Sequence, residues 1–532
     1  MNNRVIDRLV ERMQAMGVKH IYGVPGGGSS LDLIEAAARV GIEFVLCRSE
    51  TAAALMAAVG AELTDIPGVV LTGIGPSAAS VVNGIAYASL ERAPLILITD
   101  TDEQNKALSP HQVFDQLALF APICKGGLRL DAENAATGID RLIDATLTHP
   151  RGPVHFDLSV KNARASIKPS RSDETETESL VPDQSATAED IARLLRDSQR
   201  PVLLVGLQTR QRALSEQLRR FSERLNCPVL VSYKAKGVVA ESDPLFVGTF
   251  TGATAESELL ARADLILSVG LDPIEMIPSP WRYDAPVVVI MQGVSDAFPF
   301  SAKASLDGDL TSNIDALTAS VNRSTWTLDE IAGLRTGLRE RLSLKGEHHT
   351  ADTVIDTLAS LSPDARLTVD AGAHMFSAMA RWPAAKAHDV LKSNGLSTMG
   401  YALPAAIASG LVDPERPVIA VTGDGGMLMC LAELSTATRL NISLTVVVLN
   451  DAALSLIDIK QQHNEHPVNG VRYAPVDFAE VARGMGCKAW KVNADESLEQ
   501  VLELALASAG TKLVDVTVDP SGYAGQLAAL RR

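Results

Sequence analysis

The sequence predicts an α/β protein of three doubly wound parallel-sheet domains, the first and third similar to each other. Short apolar runs, "PVLLVG", "LILSVG", "PVVVIM", "VIAVTG" and "LTVVVLN", alternate with longer amphipathic stretches. Strands that are apolar throughout belong to parallel sheets covered by helices on both faces. A weak internal repeat relates "GVVLTGIGPSAASVVNGIAYASLERAPLILITD" (68–100) to "PVIAVTGDGGMLMCLAELSTATRLNISLTVVVLND" (417–451), each reading as strand, Thr-Gly-x-Gly, helix, loop, strand. At 532 residues the chain has room for roughly three domains of ~150 residues, each with its own core.

Taken in order, the chain opens on "MNNRVIDRLVERMQAMGVKH", whose apolar residues fall at helical spacing with charges between them. That is an amphipathic helix rather than a signal peptide. Residues 166–188, "SIKPSRSDETETESLVPDQSATA", are polar and without periodicity, so a linker is expected there. A charged helical stretch near 322–350 marks a second boundary. The expected domains are therefore 1–165, 189–325 and 350–532.

Composition excludes some functions. A net charge of −16 and the absence of a dense Lys/Arg run argue against a nucleic-acid surface or an anionic-membrane anchor. No apolar run is long enough to span a bilayer. The five cysteines, Cys47, Cys124, Cys227, Cys430 and Cys487, are scattered without metal-ligand spacing, which fits a reducing compartment and a cytoplasmic location.

The repeat also carries a difference: Ile74 stands where the later copy has Asp424. In a doubly wound sheet, ligands sit beyond the carboxyl ends of the strands. Asp424 and Asp451 each follow a strand, so neighbouring strands would bring both to one crevice. Gly423, Gly425 and Gly426 permit a tight turn and close approach of a ligand, and a helix is expected to start near Met427 with its N–H groups facing an anion. Two carboxylates beside an anion site are reconciled by a hard divalent cation that bridges them to phosphate oxygens. A tight turn in which Asp merely caps a helix is the alternative.

"GDGG" followed by "LND" resembles the thiamine-diphosphate motif, and the resemblance to acetohydroxyacid (acetolactate) synthase, pyruvate oxidase and benzoylformate decarboxylase type enzymes covers nearly the whole chain. Its further landmarks are "YGVPGGGSSLDLIEA", "RSETAAALMA", "HQVFDQ", "APICK", "RGPVHFDL", "AKGVVAESDPLFVG", "GAHMF" and "LSTMGYALPAAIA", all in order.

The resemblance implies that Asp424, Asp451 and the Ala453 carbonyl bind Mg2+, which holds the diphosphate of the cofactor. Many relatives have Asn at the place of Asp451. Gly423, Gly425, Gly426 and His374 belong to the diphosphate side, with a plain core or surface histidine as the other reading of His374. Glu50 stands where the family has the carboxyl beside the aminopyrimidine N1′, which shares a proton with it. Met399 matches the apolar prop that bends the cofactor, and the Ser397 carbonyl matches the acceptor for the aminopyrimidine N–H. Gly26, Gly27 and Gln112 match positions near the reacting C2. A homodimer or homotetramer with active sites at the subunit interface is implied as well.

The chain also departs from the pattern. Ser49 replaces a frequent His before the catalytic Glu. Lys460 stands where the synthases carry a tryptophan; it is either a contact for a second anionic group of the substrate or a solvated lysine. In the central domain the arginine-containing segment after "SVG" is replaced by "LDPIEMIPSPW", which makes FAD doubtful.

The expected activity is decarboxylation of a small 2-oxo acid, with or without carboligation. A thiamine-diphosphate-binding protein without catalysis and a flavin-dependent 2-oxo acid oxidase on the same fold are the alternatives.

Overall fold

A computed structural model describes residues 3–102, 111–168, 187–293, 297–319 and 321–531. The linker expected over 166–188 falls mostly outside the described residues. The described strands form three six-stranded sheets, parallel throughout.

The first sheet contains β1 (His20–Val24), β2 (Glu43–Leu46), β3 (Gly68–Thr72), β4 (Leu95–Thr101), β5 (Gly127–Arg129) and β6 (Pro153–Ser159), in the order β2-β1-β3-β4-β6-β5. The central sheet contains β7 (Pro201–Val205), β8 (Val229–Ser232), β9 (Phe246–Phe250), β10 (Leu265–Val269), β11 (Val287–Met291) and β12 (Ala302–Asp307), in the order β12-β11-β10-β7-β8-β9. The third contains β13 (Arg366–Val369), β14 (Val390–Lys392), β15 (Val418–Gly423), β16 (Thr445–Asn450), β17 (Lys488–Val492) and β18 (Lys512–Thr517), in the order β14-β13-β15-β16-β18-β17. The first and third orders are the same permutation, so the sequence repeat is a repeat of topology. The repeated pairs β3–β4 and β15–β16 are neighbours in register.

By contact, the chain divides into two compact units. The first holds Met1–Ser179, Gly395–Glu415 and Met429–Leu444. The second holds Leu180–Asn394, Arg416–Leu428 and Thr445–Arg532.

In the first unit, the helix Glu50–Thr64 is buried from Ala52 to Val59 without interruption. Its alanines let neighbours approach closely: a Cβ at Gly84 would sit 2.4 Å from Ala54 Cβ. The hydroxyl of Tyr87, from the helix Val82–Leu90, donates to buried Glu62 at 2.6 Å and lies 3.2 Å from that of Tyr401. A pure apolar stripe would leave these polar groups unsatisfied; pairing them removes that cost.

In the second unit, Val, Ile and Leu of the central strands pack under amphipathic helices, among them Ala188–Asp197, which opens on a Thr187–Asp190 capping box. The charged stretch near 322–350 is the helix Leu328–Arg341. Among the described residues, no helix is long and apolar enough to cross a membrane.

Candidate active site

Each sheet has a switch point, where successive connections leave in opposite directions and the strand ends diverge into a crevice. In the first sheet it lies between β1 and β3. Gly26 follows β1 and Gly73 follows β3, and a Cβ at Gly26 would sit 2.8 Å from Gly73 Cα and 2.3 Å from Asp100 Oδ2. Only glycine fits. Asp100, at the end of β4, organises the turn: its carboxylate accepts from the Ser29 hydroxyl and the Ser30 amide, both at 2.7 Å, and from the Gly28 amide at 3.3 Å. Burial pushes its carboxyl up, and these donors oppose that. A Cβ at Gly27, by contrast, would meet nothing within 4 Å among the described residues.

Glu50 begins its helix after Ser49, whose hydroxyl oxygen accepts the Ala52 amide at 3.1 Å. The segment entering the helix is held by buried Glu433, which accepts the amides of Arg48 and Ser49 at 2.9 and 3.0 Å. Ser77 Oγ donates to Glu50 Oε1 at 2.5 Å. The Gly75 amide donates to buried Gln116, and a Cβ at Gly75 would sit 2.3 Å from the Gln112 carbonyl oxygen. Gln112 itself is exposed and in the left-handed region, with φ +58°. The structure thus links Gly26, Glu50 and Gln112 through Gly73, Ser77 and Gly75. Ser397 is exposed and also left-handed, at φ +51°, while Met399 is half-buried. Thr398 between them donates to Asn83 at 3.0 Å.

In the third sheet the switch point lies between β13 and β15. Three neighbouring strands, β13, β15 and β16, are each followed by an acid: Asp370, Asp424 and Asp451. The helix after β15 begins at Asp424 itself, not near Met427 as expected, and the Asp424 carboxylate accepts the Gly425 amide at 2.7 Å. Asp370 is fully buried and serves the scaffold. It accepts from the Thr422 hydroxyl at 2.9 Å, and a Cβ at Gly426 would sit 2.1 Å from its Oδ2.

The His374 ring lies over the glycines: a Cβ at Gly423 would be 3.3 Å from its Cε1. Burial pushes His374 down to about 4, opposed by a hydrogen bond with the Asp370 carbonyl, so the ring is neutral near pH 7. Its Nε2 is buried without a hydrogen bond.

Asp424 is 3% exposed, and burial pushes its carboxyl up against the lowering influence of the Tyr473 phenol and the Gly425, Ala452 and Ala453 amides. Its Oδ2 makes no hydrogen bond of normal geometry. Burial pushes Asp451 up to about 6; the Ser455 hydroxyl, donating at 2.5 Å, lowers it and the Asp424 charge raises it further. Ala452 is left-handed at φ +55°, and Ala453 bridges Arg472. Among the described residues no three His, Cys, Asp or Glu side chains cluster as a metal site. Two carboxylates and a backbone carbonyl, with a buried carboxylate oxygen that lacks a partner, nonetheless suit a hard cation that completes its shell with phosphate and water. Lys460 is exposed on the helix Ser455–His463.

The central switch point, between β7 and β10, is filled from within. A Cβ at Gly206 would sit 2.1 Å from Leu271 Cα. The Glu275 carboxylate accepts the Leu207 and Asp272 amides, each at 2.9 Å, together with the Ser232 hydroxyl. A dinucleotide phosphate would need such amides, and they are already committed. These amides are not free for an FAD phosphate.

Ser77, Asp100, Gln116 and Glu433 in the first unit, and Asp370, Ser455 and Tyr473 in the second, were not singled out from the sequence. Asp370 carried the clearest signal, since "RLTVD" is one more apolar run ending in an acid.

Three sequence patterns match the chain: the N-terminal TPP binding domain of thiamine pyrophosphate enzymes over residues 3–119, their central domain over 188–295, and their C-terminal TPP binding domain over 370–516. Among similar proteins, an acetolactate synthase of Bacillus subtilis is 26% identical, covering 98% of this chain and 94% of the relative. A catabolic acetolactate synthase of Raoultella terrigena is 28% identical (96% and 94%), and a pyruvate oxidase of Lactiplantibacillus plantarum 26% (94% and 86%). With its three domain types matched in order along the chain, the protein belongs to the thiamine pyrophosphate enzyme family.

Proposed function

We propose that the protein decarboxylates a small 2-oxo acid and passes the remaining fragment to a proton or to a carbonyl acceptor, as an acetolactate-synthase-like carboligase does. The observation that carries this reading is the pair of buried Asp424 and half-buried Asp451, which follow neighbouring strands, beside neutral His374. When bound, thiamine diphosphate supplies the electron sink for breaking the bond to the carboxylate.

Asp424, Asp451 and the Ala453 carbonyl would hold Mg2+, and His374, Gly423, Gly425 and Gly426 would face the diphosphate. Glu50 would exchange a proton with the pyrimidine N1′, held for that task by Ser77. The Ser397 carbonyl would accept the pyrimidine amino group, and Met399 would prop the ring. Gly26, Gly27 and Gln112 would line the space where substrate reacts, and the open side of Gly27 supports that role. Lys460, exposed beyond the metal loop, is available to a second anionic group.

We assign the pyrimidine-binding role to residues 1–165, a flavin-free structural role to 189–325 and the diphosphate and metal role to 350–532. A homodimer or homotetramer with active sites at the subunit interface would cover Leu31 and Met429, large apolar side chains left exposed beside the glycine turns. Five free cysteines support a reducing, cytoplasmic compartment.

The test is a proton NMR time course of the purified protein with Mg2+, thiamine diphosphate and a panel of 2-oxo acids, dianionic ones included, with and without an aldehyde. Consumption that yields an aldehyde or hydroxyketone is expected. A protein that binds the cofactor but consumes nothing across the panel, and does not exchange the cofactor C2 proton, would instead be a binder.

A further inference from the structure

The loop that follows β16 and carries Asp451 and Ala453 is gripped by a second segment, 471–473. The Leu454 amide donates to the Val471 carbonyl at 2.8 Å, the Tyr473 amide donates to the Ala452 carbonyl at 3.1 Å, and Ala453 bridges Arg472 as a short antiparallel pair. Arg472 Nε then donates to Asp458 on the following helix at 2.7 Å. This clasp holds the left-handed Ala452 in place and fixes where the next side chain, Tyr473, stands.

Tyr473 stands beside Asp424. Its hydroxyl oxygen and Asp424 Oδ2 are both buried, and among the described residues neither makes a hydrogen bond of normal geometry. One can donate and the other can accept, and the phenol is near enough to lower the Asp424 carboxyl. Buried polar groups left this way are rare in folded proteins, and each calls for a reason.

We propose that Tyr473 is a positioning residue of the cation site, whose phenol donates to the Asp424 carboxylate and holds it in the orientation that meets the metal. This rests on the reading of Asp424 and Asp451 as the metal pair and adds a residue to it. A carboxylate ligand that is itself hydrogen-bonded binds its ion more tightly, because its rotamer is chosen before the ion arrives. Phenylalanine at this position would keep the ring packing and the clasp, which is made by the backbone, and remove only the donor.

The experiment titrates thiamine diphosphate calorimetrically into protein freed of metal, at graded Mg2+ concentrations, for wild type, Tyr473→Phe and Asp424→Asn. The expected result is that Tyr473→Phe raises the half-saturating Mg2+ by about tenfold while the melting temperature of the metal-free protein stays at the wild-type value. Unchanged half-saturation in Tyr473→Phe, with Asp424→Asn abolishing the metal dependence, overturns the role of Tyr473 and leaves the site standing. Binding that ignores Mg2+ in all three proteins, or fails in all three, overturns the site and this proposal with it.

Discussion

Ser77 Oγ lies 2.5 Å from Glu50 Oε1 and donates to it, joining two residues 27 apart in sequence. Replacing Glu50 with Gln is expected to cut turnover by at least about 10²-fold while cofactor affinity, read by calorimetry, is retained. Ser77→Ala should keep the carboxyl but lose its orientation, with turnover falling by about tenfold. Equal turnover in Ser77→Ala and wild type would show that the hydroxyl is not needed to hold Glu50.

Asp451 and Asp424 repel each other in the metal-free protein, and Asp451 is pushed up to about 6 from an ordinary 3.8, chiefly by burial. Asparagine keeps the shape and an acceptor for Ser455 but removes one charge. Asp451→Asn is therefore expected to stabilise the metal-free protein at neutral pH, by up to about 3 kcal/mol, while weakening Mg2+ binding. Thermal unfolding with and without Mg2+ tests this, since the two effects should have opposite signs.

Glu275 is buried, and burial pushes it up to about 7 from 4.5. A carboxyl that holds its proton more tightly when folded makes the folded state bind more protons than the unfolded one across that window. Stability then falls as pH rises from about 4.5 through 7, by up to about 3 kcal/mol from this group. In Glu275→Gln the amide can accept from Leu207 and Asp272 and donate to Ser232, so the pH dependence should flatten with the fold intact. Parallel urea midpoints for both proteins from pH 5 to 8 would contradict the assignment.

Gly26 and Gly27 are adjacent and alike in sequence but differ in surroundings. A Cβ at Gly26 would sit 2.3 Å from Asp100 Oδ2, and one at Gly27 would meet nothing within 4 Å among the described residues. Gly26→Ala should destabilise the protein by about 1–3 kcal/mol. Gly27→Ala should stay within about 0.5 kcal/mol of wild type, so any change in its KM or kcat reports on substrate space directly. Denaturant melts together with steady-state kinetics separate the two.

Much of this protein was legible from local pattern. Period and composition marked the strands, the repeat of 68–100 in 417–451 anticipated the shared sheet order, and the acids after β15 and β16 pointed to a metal site. Those features depend on residues close in the chain. The expected helix start near Met427 missed by three residues, since the helix begins at Asp424 directly after β15. The segment after "SVG" raised doubt about FAD from its composition; the structure adds that the Glu275 carboxylate takes the amides of Leu207 and Asp272.

The sequence by itself determined the fold class and the family and picked out Glu50, Asp424 and Asp451 as candidates, because apolar runs, ordered motifs and acids after strands are each read from residues close in the chain. Only the tertiary structure decided their partners. Ser77 reaches Glu50, Glu433 holds the residues before it, Asp370 excludes a side chain at Gly426, and Tyr473 is brought to Asp424. These pairs lie on different strands and loops whose adjacency is set by sheet order and crossover. Local periodicity shows that a strand exists without naming the strand beside it.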